Sequence, residues 1–383
     1  NVKLAADGDG FKNFGSDFKV APYQGIFVGK IKNLLYILRS IRKFVGYDIV
    51  QFINPFSLPY YYSFFLITYI IFKFNKKSVY YACGTDPAFL ASKDKFDYFS
   101  FDDPMDKEYP KYNYLSLLHY RLFIKFVDAI VPSMYTYAVG YSNNKKLTPP
   151  IPLPVSVFIS SPSRPVSNSI KILFGITRSH FKGVKIILTA IAKLKEELEN
   201  DNRNNVQIVI VERLPFIKFV EYLKECDILI DQCKSYDYGM SALLGLENGL
   251  VVLSGSEPAG TEFLKIEQNA VINIKPNAEL IYCELKKLTL LSVNELFAIR
   301  ERGFIQARTY HYYKNVSNCF IKSLISDSPS SKSINGFSGV SSSIHDETLC
   351  SISLIAALNL VKNTRPAGLN SNSFLTSRCS ITD

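Results

Sequence analysis

The sequence predicts an α/β protein that contains two domains, each built around a parallel sheet. Short apolar segments alternate with longer segments of helical periodicity along residues 2–323. The short segments are apolar at almost every position, which is typical of strands that helices cover on both faces. A chain of 383 residues is long enough for two domains of ordinary size.

The first domain is predicted to span residues 1–154. Turn signals such as Asn54-Pro55 separate its apolar runs. Leu147–Pro154 contains four prolines in eight residues and is predicted to be a linker. The predicted strands are Val2–Ala6, Tyr47–Ile53, Ser78–Cys83 and Asp128–Pro132, and the predicted helices are Ile31–Val45, Tyr60–Phe74 and Tyr112–Phe126.

The second domain is predicted to span residues 155–324, and a tail follows at 325–383. Serine dominates the start of the tail and the helix–strand alternation stops, so we expect a disordered tail. The apolar segment Ile352–Val361 could instead dock as one helix. The predicted strands of the second domain are Ile170–Gly175, Val206–Glu212, Asp227–Asp231, Leu250–Ser254 and Ala270–Ile274, and residues 294–323 are predicted to be largely helical.

Composition excludes several classes of function. The formal net charge is +10, with most of the excess in residues 1–150, which suits a phosphorylated substrate, an anionic lipid surface or nucleic acid. No RNA-binding signature or long cationic cluster is present, so we expect no nucleic-acid partner. The seven cysteines and four histidines are scattered, which argues against a metal site and favours a cytoplasmic location.

The apolar run Tyr60–Phe72 is too short to span a bilayer, which needs about 20 residues. We interpret it as a buried helix of the first domain. The alternative is that its basic end contacts the inner face of a membrane as a peripheral attachment.

Two constellations carry candidate chemistry. Gly175–Gly183 follows a strand and precedes a helix, and it places Arg178 and Lys182 beside free helix N–H groups. It could hold a diphosphate, or it could be a basic loop in which Gly183 permits the turn. In the second constellation, Gly239 and Met240 open a helix after the strand 227–231, although these glycines could simply cap helices.

The order of these motifs resembles the family 4 glycosyltransferases, especially bacterial members that build surface polysaccharides. The resemblance covers about residues 1–324 and rests on Arg-x-x-x-Lys-Gly, Tyr-Gly-Met and Val-Val in sequence. It implies the B-type fold, in which two Rossmann-like domains face across a cleft. It also implies that the chain begins at the second strand of the family, so that the first strand-helix unit is missing.

The resemblance implies a nucleotide-diphosphate-sugar donor of UDP or GDP type, transfer with retention, and no metal or other cofactor. The acceptor would be a glycan or a lipid-linked molecule. Arg178 and Lys182 match the diphosphate-binding pair of the family. The remaining donor-side residues that we carry over or infer are Gly175, Gly183, Tyr238, Gly239, Met240, Glu247, Glu257 and Glu262.

The chain departs from the family at two glutamates. Tyr236 and Leu244 occupy the positions where the family places a sugar-facing and a ribose-binding glutamate. We expect Asp237, as a catalytic residue, and Glu247 to take over these roles. The alternatives are that Asp237 caps a helix and that Glu247 is an exposed helix residue.

On the acceptor side, the sequence offers three candidates. Asp86 lies in a turn after an apolar strand and is our candidate acceptor contact or catalytic base; the alternative is that it stabilises the turn. Gly84 and Asn54 are predicted to line the acceptor side of the cleft. The expected function is sugar transfer in polysaccharide biosynthesis, with a non-catalytic nucleotide- or glycan-binding protein and a nucleotide-sugar epimerase as alternatives.

Overall fold

The computed structural model describes residues 2–6, 17–19, 22–23, 28–56, 61–102, 109–156, 169–177, 181–326 and 373–377. Two α/β domains follow one another along the chain, each with its own sheet. The α/β class and the two-domain layout predicted from the sequence are confirmed.

The amino-terminal sheet has the strand order β2-β1-β11-β3-β4-β5, and all its pairings are parallel except those of β11. Its strands are β1 (Val2–Ala6), β2 (Phe18–Lys19), β3 (Ile49–Phe52), β4 (Lys77–Ala82), β5 (Ala129–Pro132) and β11 (Ser373–Ser377). Its helices are α1 (Val28–Arg39), α2 (Tyr61–Lys73), α3 (Pro87–Ala91), α4 (Tyr114–Phe126) and α5 (Tyr135–Val139).

Strand β11 corrects one expectation about the tail. Ser373–Ser377 lies between β1 and β3 and pairs antiparallel with both. Phenylalanine and threonine favour strands, and a strand here joins two half-sheets that would otherwise each present an open edge. The rest of the tail, including Ile352–Val361, lies outside the described residues.

The carboxyl-terminal sheet is parallel throughout, with the order β10-β9-β8-β6-β7. The order reverses between β6 and β8, and in open α/β sheets the crevice at such a reversal is where ligands bind. The strands are β6 (Ile170–Ile176), β7 (Val206–Glu212), β8 (Ile228–Ile230), β9 (Val251–Ser254) and β10 (Ile272–Asn273). The helices are α6 (Val184–Asn200), α7 (Phe216–Glu225), α8 (Met240–Glu247), α9 (Pro258–Phe263), α10 (Ala278–Leu290), α11 (Val293–Tyr310) and α12 (Tyr313–Ser326).

The helix predicted for residues 294–323 is broken in two at His311. At the break, Val155 donates its backbone N–H to the His311 carbonyl (2.7 Å) and accepts from the backbone N–H of Tyr313 (2.9 Å). The segment after the proline-rich linker therefore pairs with the junction between α11 and α12. The Phe320 ring of α12 packs against Tyr81 of β4 at 5.3 Å, so the last helix contacts the amino-terminal domain.

One hydrophobic cluster extends across both domains. It contains Val79 and Tyr81 from β4 together with Leu173 from β6 and Leu229 from β8, all nearly inaccessible to solvent. Burial of apolar area at this boundary stabilises the face-to-face arrangement of the two sheets. The arrangement leaves a cleft between the carboxyl ends of their strands.

Candidate functional site

The cleft lies between the end of β4 in one domain and the ends of β6 and β8 in the other. It encloses about 150 Å³. Of the residues predicted to form the site, the structure places five on its wall, and these are Gly84, Gly175, Lys182, Gly239 and Met240. Arg178 lies outside the described residues.

Among the described residues of the cleft wall, Lys182 is the buried cation. Its ammonium lies 2.6 Å from Asp231 Oδ1 and donates to Ser241 Oγ at 3.3 Å. The side chains of Lys182 and Asp231 are only 9% and 1% exposed. Because a buried ammonium needs a partner, Asp231 holds Lys182 in place at the point where the strand order reverses.

The amino terminus of α8 faces the same region. Gly239, Met240 and Ser241 line the cleft, and Gly239 adopts an extended conformation before the helix starts. The first N–H groups of a helix lack partners within it and attract anions. Lys182 and this helix start therefore converge on one position suited to a diphosphate.

Gly183 is required by the turn that carries Lys182. It has a left-handed backbone (φ 74°), and an added Cβ would lie 2.4 Å from the Cys233 sulfur. At Gly175, an added Cβ would lie 2.9 Å from the Phe219 ring, so the absence of a side chain lets this ring pack directly against β6.

Arg213 is a cleft residue that the sequence reasoning missed. It follows β7, lines the cleft and has a left-handed backbone (φ 48°), which is uncommon outside glycine. Phe216 and Phe219 form an apolar wall beside it. The sequence did offer a signal for Arg213, because it is a basic residue that directly follows the carboxyl end of a predicted parallel strand.

Asp86 does not line the cleft, so the structure does not support its predicted role as a base. It is 1% exposed and caps α3, accepting from the backbone N–H of Phe89 at 2.8 Å. The hydroxyls of Tyr80 and Tyr141 also donate to it, at 2.6 and 2.7 Å. Burial raises the pKa of Asp86, while these hydrogen bonds act in the opposite direction.

Asp237 bridges the two domains instead of facing the cleft. Its Oδ2 accepts from the backbone N–H and the hydroxyl of Thr136, at 2.8 and 2.6 Å. Both donors lie at the start of α5, so the carboxylate caps a helix of the opposite domain. In this arrangement the Asp237 carboxylate links the two domains, and its catalytic role stays a prediction.

Tyr236, at the first missing-glutamate position, also contacts the opposite domain. Its hydroxyl donates to the Asp97 carboxylate at 3.1 Å and accepts from the Asp97 backbone N–H at 3.0 Å. Three more polar contacts close the same edge of the cleft, and these are Tyr98 to Glu257 at 2.6 Å, Ser100 to the Lys234 carbonyl at 3.0 Å, and Lys234 to Asp102 at 2.7 Å.

Leu244 occupies the second missing-glutamate position and presents an apolar side chain to the cleft. Glu247, predicted to compensate for it, is 7% exposed and lies outside the cleft wall at the end of α8. Burial raises its pKa to about 8. The carboxyl is therefore favoured in its neutral form inside the fold, which does not suit a charged ribose contact.

Replacing Glu247 with glutamine should change the pH dependence of stability. The unfolded chain releases this proton near pH 4.5, whereas the folded chain holds it until about pH 8. The contribution of the neutral Glu247 side chain to the unfolding free energy is thus complete below pH 4.5. It is lost as the pH rises through 8, where the buried carboxyl ionises. Urea denaturation should show Glu247→Gln level with the parent at pH 4.5 and more stable by roughly 2 to 4 kcal/mol at pH 9. Glu262→Gln, at an exposed site, is the control, and a difference that does not vary with pH contradicts the expectation.

Tyr238 belongs to a buried hydrogen-bond chain. His311 Nδ1 lies 2.8 Å from the Leu153 carbonyl, which can only accept, so Nε2 accepts from the Tyr238 hydroxyl at 2.9 Å. Burial lowers the pKa of His311 to about 4. Tyr238 therefore fixes the junction of α11 and α12, and its hydroxyl is bonded to His311 and Gln306.

The remaining candidates lie at the edge of the site or away from it. Glu257 accepts from Tyr98, Asn273 and Lys275, and these contacts outweigh burial and hold its pKa below the ordinary value. Glu262 is exposed on α9, and Asn54 accepts from the backbone N–H of Phe56 at 2.8 Å. Neither Glu262 nor Asn54 lines the cleft.

Comparisons with known structures bear on the fold. Sucrose-phosphate synthase from Thermosynechococcus elongatus is 11% identical, with a TM-score of 0.54 over 81% of this chain and 82% of that one. A glycosyltransferase from Rickettsia africae is 15% identical, with a TM-score of 0.52 over 81% and 85%. Anabaena HepE, solved with UDP and glucose, is 11% identical, with a TM-score of 0.50 over 79% and 84%.

The fold is that of the B-type glycosyltransferases. The B-type fold predicted from the sequence is thus confirmed at low sequence identity. No family model matches the chain, and no curated protein matches it in sequence.

Two further features of the described parts of the chain concern metal binding and the crossing of a membrane. There, no group of three or more histidine, cysteine, aspartate or glutamate side chains is arranged to hold a metal ion. No helix in those parts combines the length and the apolar character needed to cross a bilayer.

Proposed function

We propose that this chain transfers a sugar from a nucleotide-diphosphate-sugar donor to a glycan or lipid-linked acceptor, with retention, in polysaccharide biosynthesis. The observation that carries the proposal is the buried Lys182 ammonium facing the start of α8 at the strand-order reversal. A diphosphate leaving group gains negative charge in the transition state, and a fixed cation and helix N–H groups stabilise that charge. The B-type fold supports the proposal, because HepE was solved with UDP and glucose in the same fold.

We infer that the remaining parts of the donor contact different walls of the cleft. Phe216, Phe219 and Arg213 offer an apolar wall and a cation for the nucleobase and its ribose. Among the described residues of the wall, Asp231 is the one carboxylate, and it is bound to Lys182. We therefore infer a mechanism that depends on stabilising the leaving diphosphate and not on a carboxylate nucleophile. Arg178 would be the second cation.

A non-catalytic nucleotide-binding protein is the second candidate, and one observation favours it. Tyr236 and Leu244, at the positions of the two family glutamates, serve an interdomain contact and an apolar wall. A donor could bind through its diphosphate while its sugar lacks the usual carboxylate contacts.

A binding and turnover experiment separates the two candidates. The full chain is titrated with a panel of UDP- and GDP-sugars by calorimetry, and sugar release is followed with the same donors. Transferase function predicts binding and slow sugar release, both lost in Arg178→Ala. The control Lys185→Ala changes an exposed lysine on α6 and should behave as the parent. Binding without release from any donor, with or without glycan acceptors, supports the non-catalytic candidate.

A further inference from the structure

Three helices form one layer on the amino-terminal sheet, and none of them contains an aspartate or a glutamate. Ile37 of α1, Ile67 of α2 and Phe123 of α4 pack in one buried cluster with the strands. The layer carries six exposed cations, which are Lys30, Lys32, Arg39, Lys73, Arg121 and Lys125.

The outer face of this layer is also unusually apolar. On α1, Val28, Ile31, Leu35 and Leu38 are between 41% and 62% exposed, at spacings that place them along one face of the helix. Among the described side chains of the other two helices, the exposed large apolar ones are Leu66, Tyr69, Tyr114, Leu115 and Phe126. Apolar groups gathered in this way on a charged surface mark an interaction site.

A groove of about 490 Å³ opens on the same layer between α2 and α4. Phe65, Leu66, Tyr69, Phe72 and Phe126 line it. Its wall is almost wholly apolar and aromatic, so it suits hydrocarbon and offers little to a polar ligand.

The carboxyl-terminal domain provides an internal comparison. Its long outer helices, α6, α7, α10 and α11, each carry at least two glutamates among their lysines and arginines. The exception among the long helices of that domain is α12, which has two lysines and no acidic residue and packs against Tyr81 of β4. The lack of acidic side chains in all three helices of the amino-terminal layer is therefore not a general feature of the long helices of this chain.

We propose that the α1–α2–α4 layer docks on the surface of an anionic lipid bilayer. The apolar side chains would enter the boundary between head groups and acyl chains, while the six cations meet anionic head groups. Tyrosines such as Tyr69 and Tyr114 suit this boundary because they are apolar with a polar tip. The proposal deepens the proposed function, since docking would bring the cleft close to a lipid-linked acceptor, but the docking itself requires no activity.

Vesicle flotation with the full chain tests the proposal. The parent should float with vesicles of phosphatidylglycerol and phosphatidylcholine, should not float with phosphatidylcholine alone, and should be released by salt. Each cation near the surface contributes about fivefold in affinity, so Lys30→Glu/Lys32→Glu should weaken binding by roughly 25-fold or more. Ile31→Ser/Leu35→Ser should also weaken vesicle binding. Because this pair removes apolar contact and no charge, the loss of binding should depend less on salt concentration than the loss in Lys30→Glu/Lys32→Glu.

Matched controls lie on the other domain. Lys195→Glu/Lys224→Glu makes the same change in net charge at exposed positions of α6 and α7, and Ile217→Ser removes an apolar side chain that is 71% exposed. Both should bind vesicles as the parent does. Circular dichroism and thermal unfolding establish that each variant is folded.

Three outcomes overturn the proposal. The first is a parent chain that does not bind anionic vesicles, and the second is an equal loss of binding in the control pair. The third is lipid-free self-association by light scattering that Lys30→Glu/Lys32→Glu abolishes, which would make the layer an interface between copies. Nucleotide-sugar binding measured on the same samples separates a failure of docking from a failure of the proposed function.

Discussion

Replacing Lys182 with alanine should lower sugar release by on the order of 10² to 10³-fold, the usual effect of removing one group that stabilises transition-state charge. The variant also leaves the Asp231 carboxylate in the cleft without its cation, where it repels a diphosphate. Donor affinity should therefore fall as well, by about tenfold or more. Steady-state kinetics and calorimetry with the best donor measure the two effects separately.

A second variant distinguishes the two contributions of Lys182. Lys182→Ala/Asp231→Asn removes the repulsion together with the cation, so affinity should partly recover while sugar release stays low. Lys185→Ala is the matched control on the same helix. If Lys182→Ala and Lys185→Ala lose the same small amount of activity, Lys182 does not contact the diphosphate.

Replacing Arg300 with alanine should lower the unfolding free energy by about 3 to 5 kcal/mol, because it leaves the buried Asp227 carboxylate without its cation. Arg300 is 1% exposed on α11, donates to the Gly249 carbonyl and lies 3.4 Å from Asp227. The Asp227 carboxylate is fully buried and also accepts from the Lys171 backbone N–H at 2.9 Å. Chemical denaturation of the full chain measures the loss.

Two further variants make the Arg300 prediction specific. Arg302→Ala, at an exposed position of α11, should change stability by less than about 0.5 kcal/mol. Arg300→Ala/Asp227→Asn should recover part of the loss, since a neutral amide is easier to bury than a carboxylate. If Arg300→Ala and Arg302→Ala lower the unfolding free energy by similar amounts, the Arg300–Asp227 ion pair does not contribute to stability.

The sequence predicted the sheets well because their strands are continuous apolar runs. The strand predicted at 206–212 agrees with the structure at both ends, and the strand predicted at 170–175 extends one residue further. The basic turn was also predictable, since Lys182 follows a strand and precedes an amphipathic helix. These patterns involve residues that are close in sequence, so they can be recognised in a single sequence.

The partners of the charged residues were not predictable, because they are distant in sequence. Asp231 lies 49 positions from Lys182, and Thr136 lies 101 positions from Asp237. Asp86 shows the same difficulty, because the tyrosines that bind it come from β4 and from the segment after α5. A carboxylate near a strand end has the same local pattern whether it binds substrate or caps a helix.

The polar contacts between residues 97–102 and 234–237 have a consequence for how ligands enter. The volume enclosed by the cleft, about 150 Å³, is below the ~300 Å³ at the lower end of small-molecule sites. Separation of these contacts would widen the cleft for the proposed nucleotide sugar. The measured affinity would be the intrinsic affinity multiplied by the fraction of molecules that are open. The edge of the cleft would then act as a gate, and the balance between its closed and open forms would set the donor concentration at which the site fills.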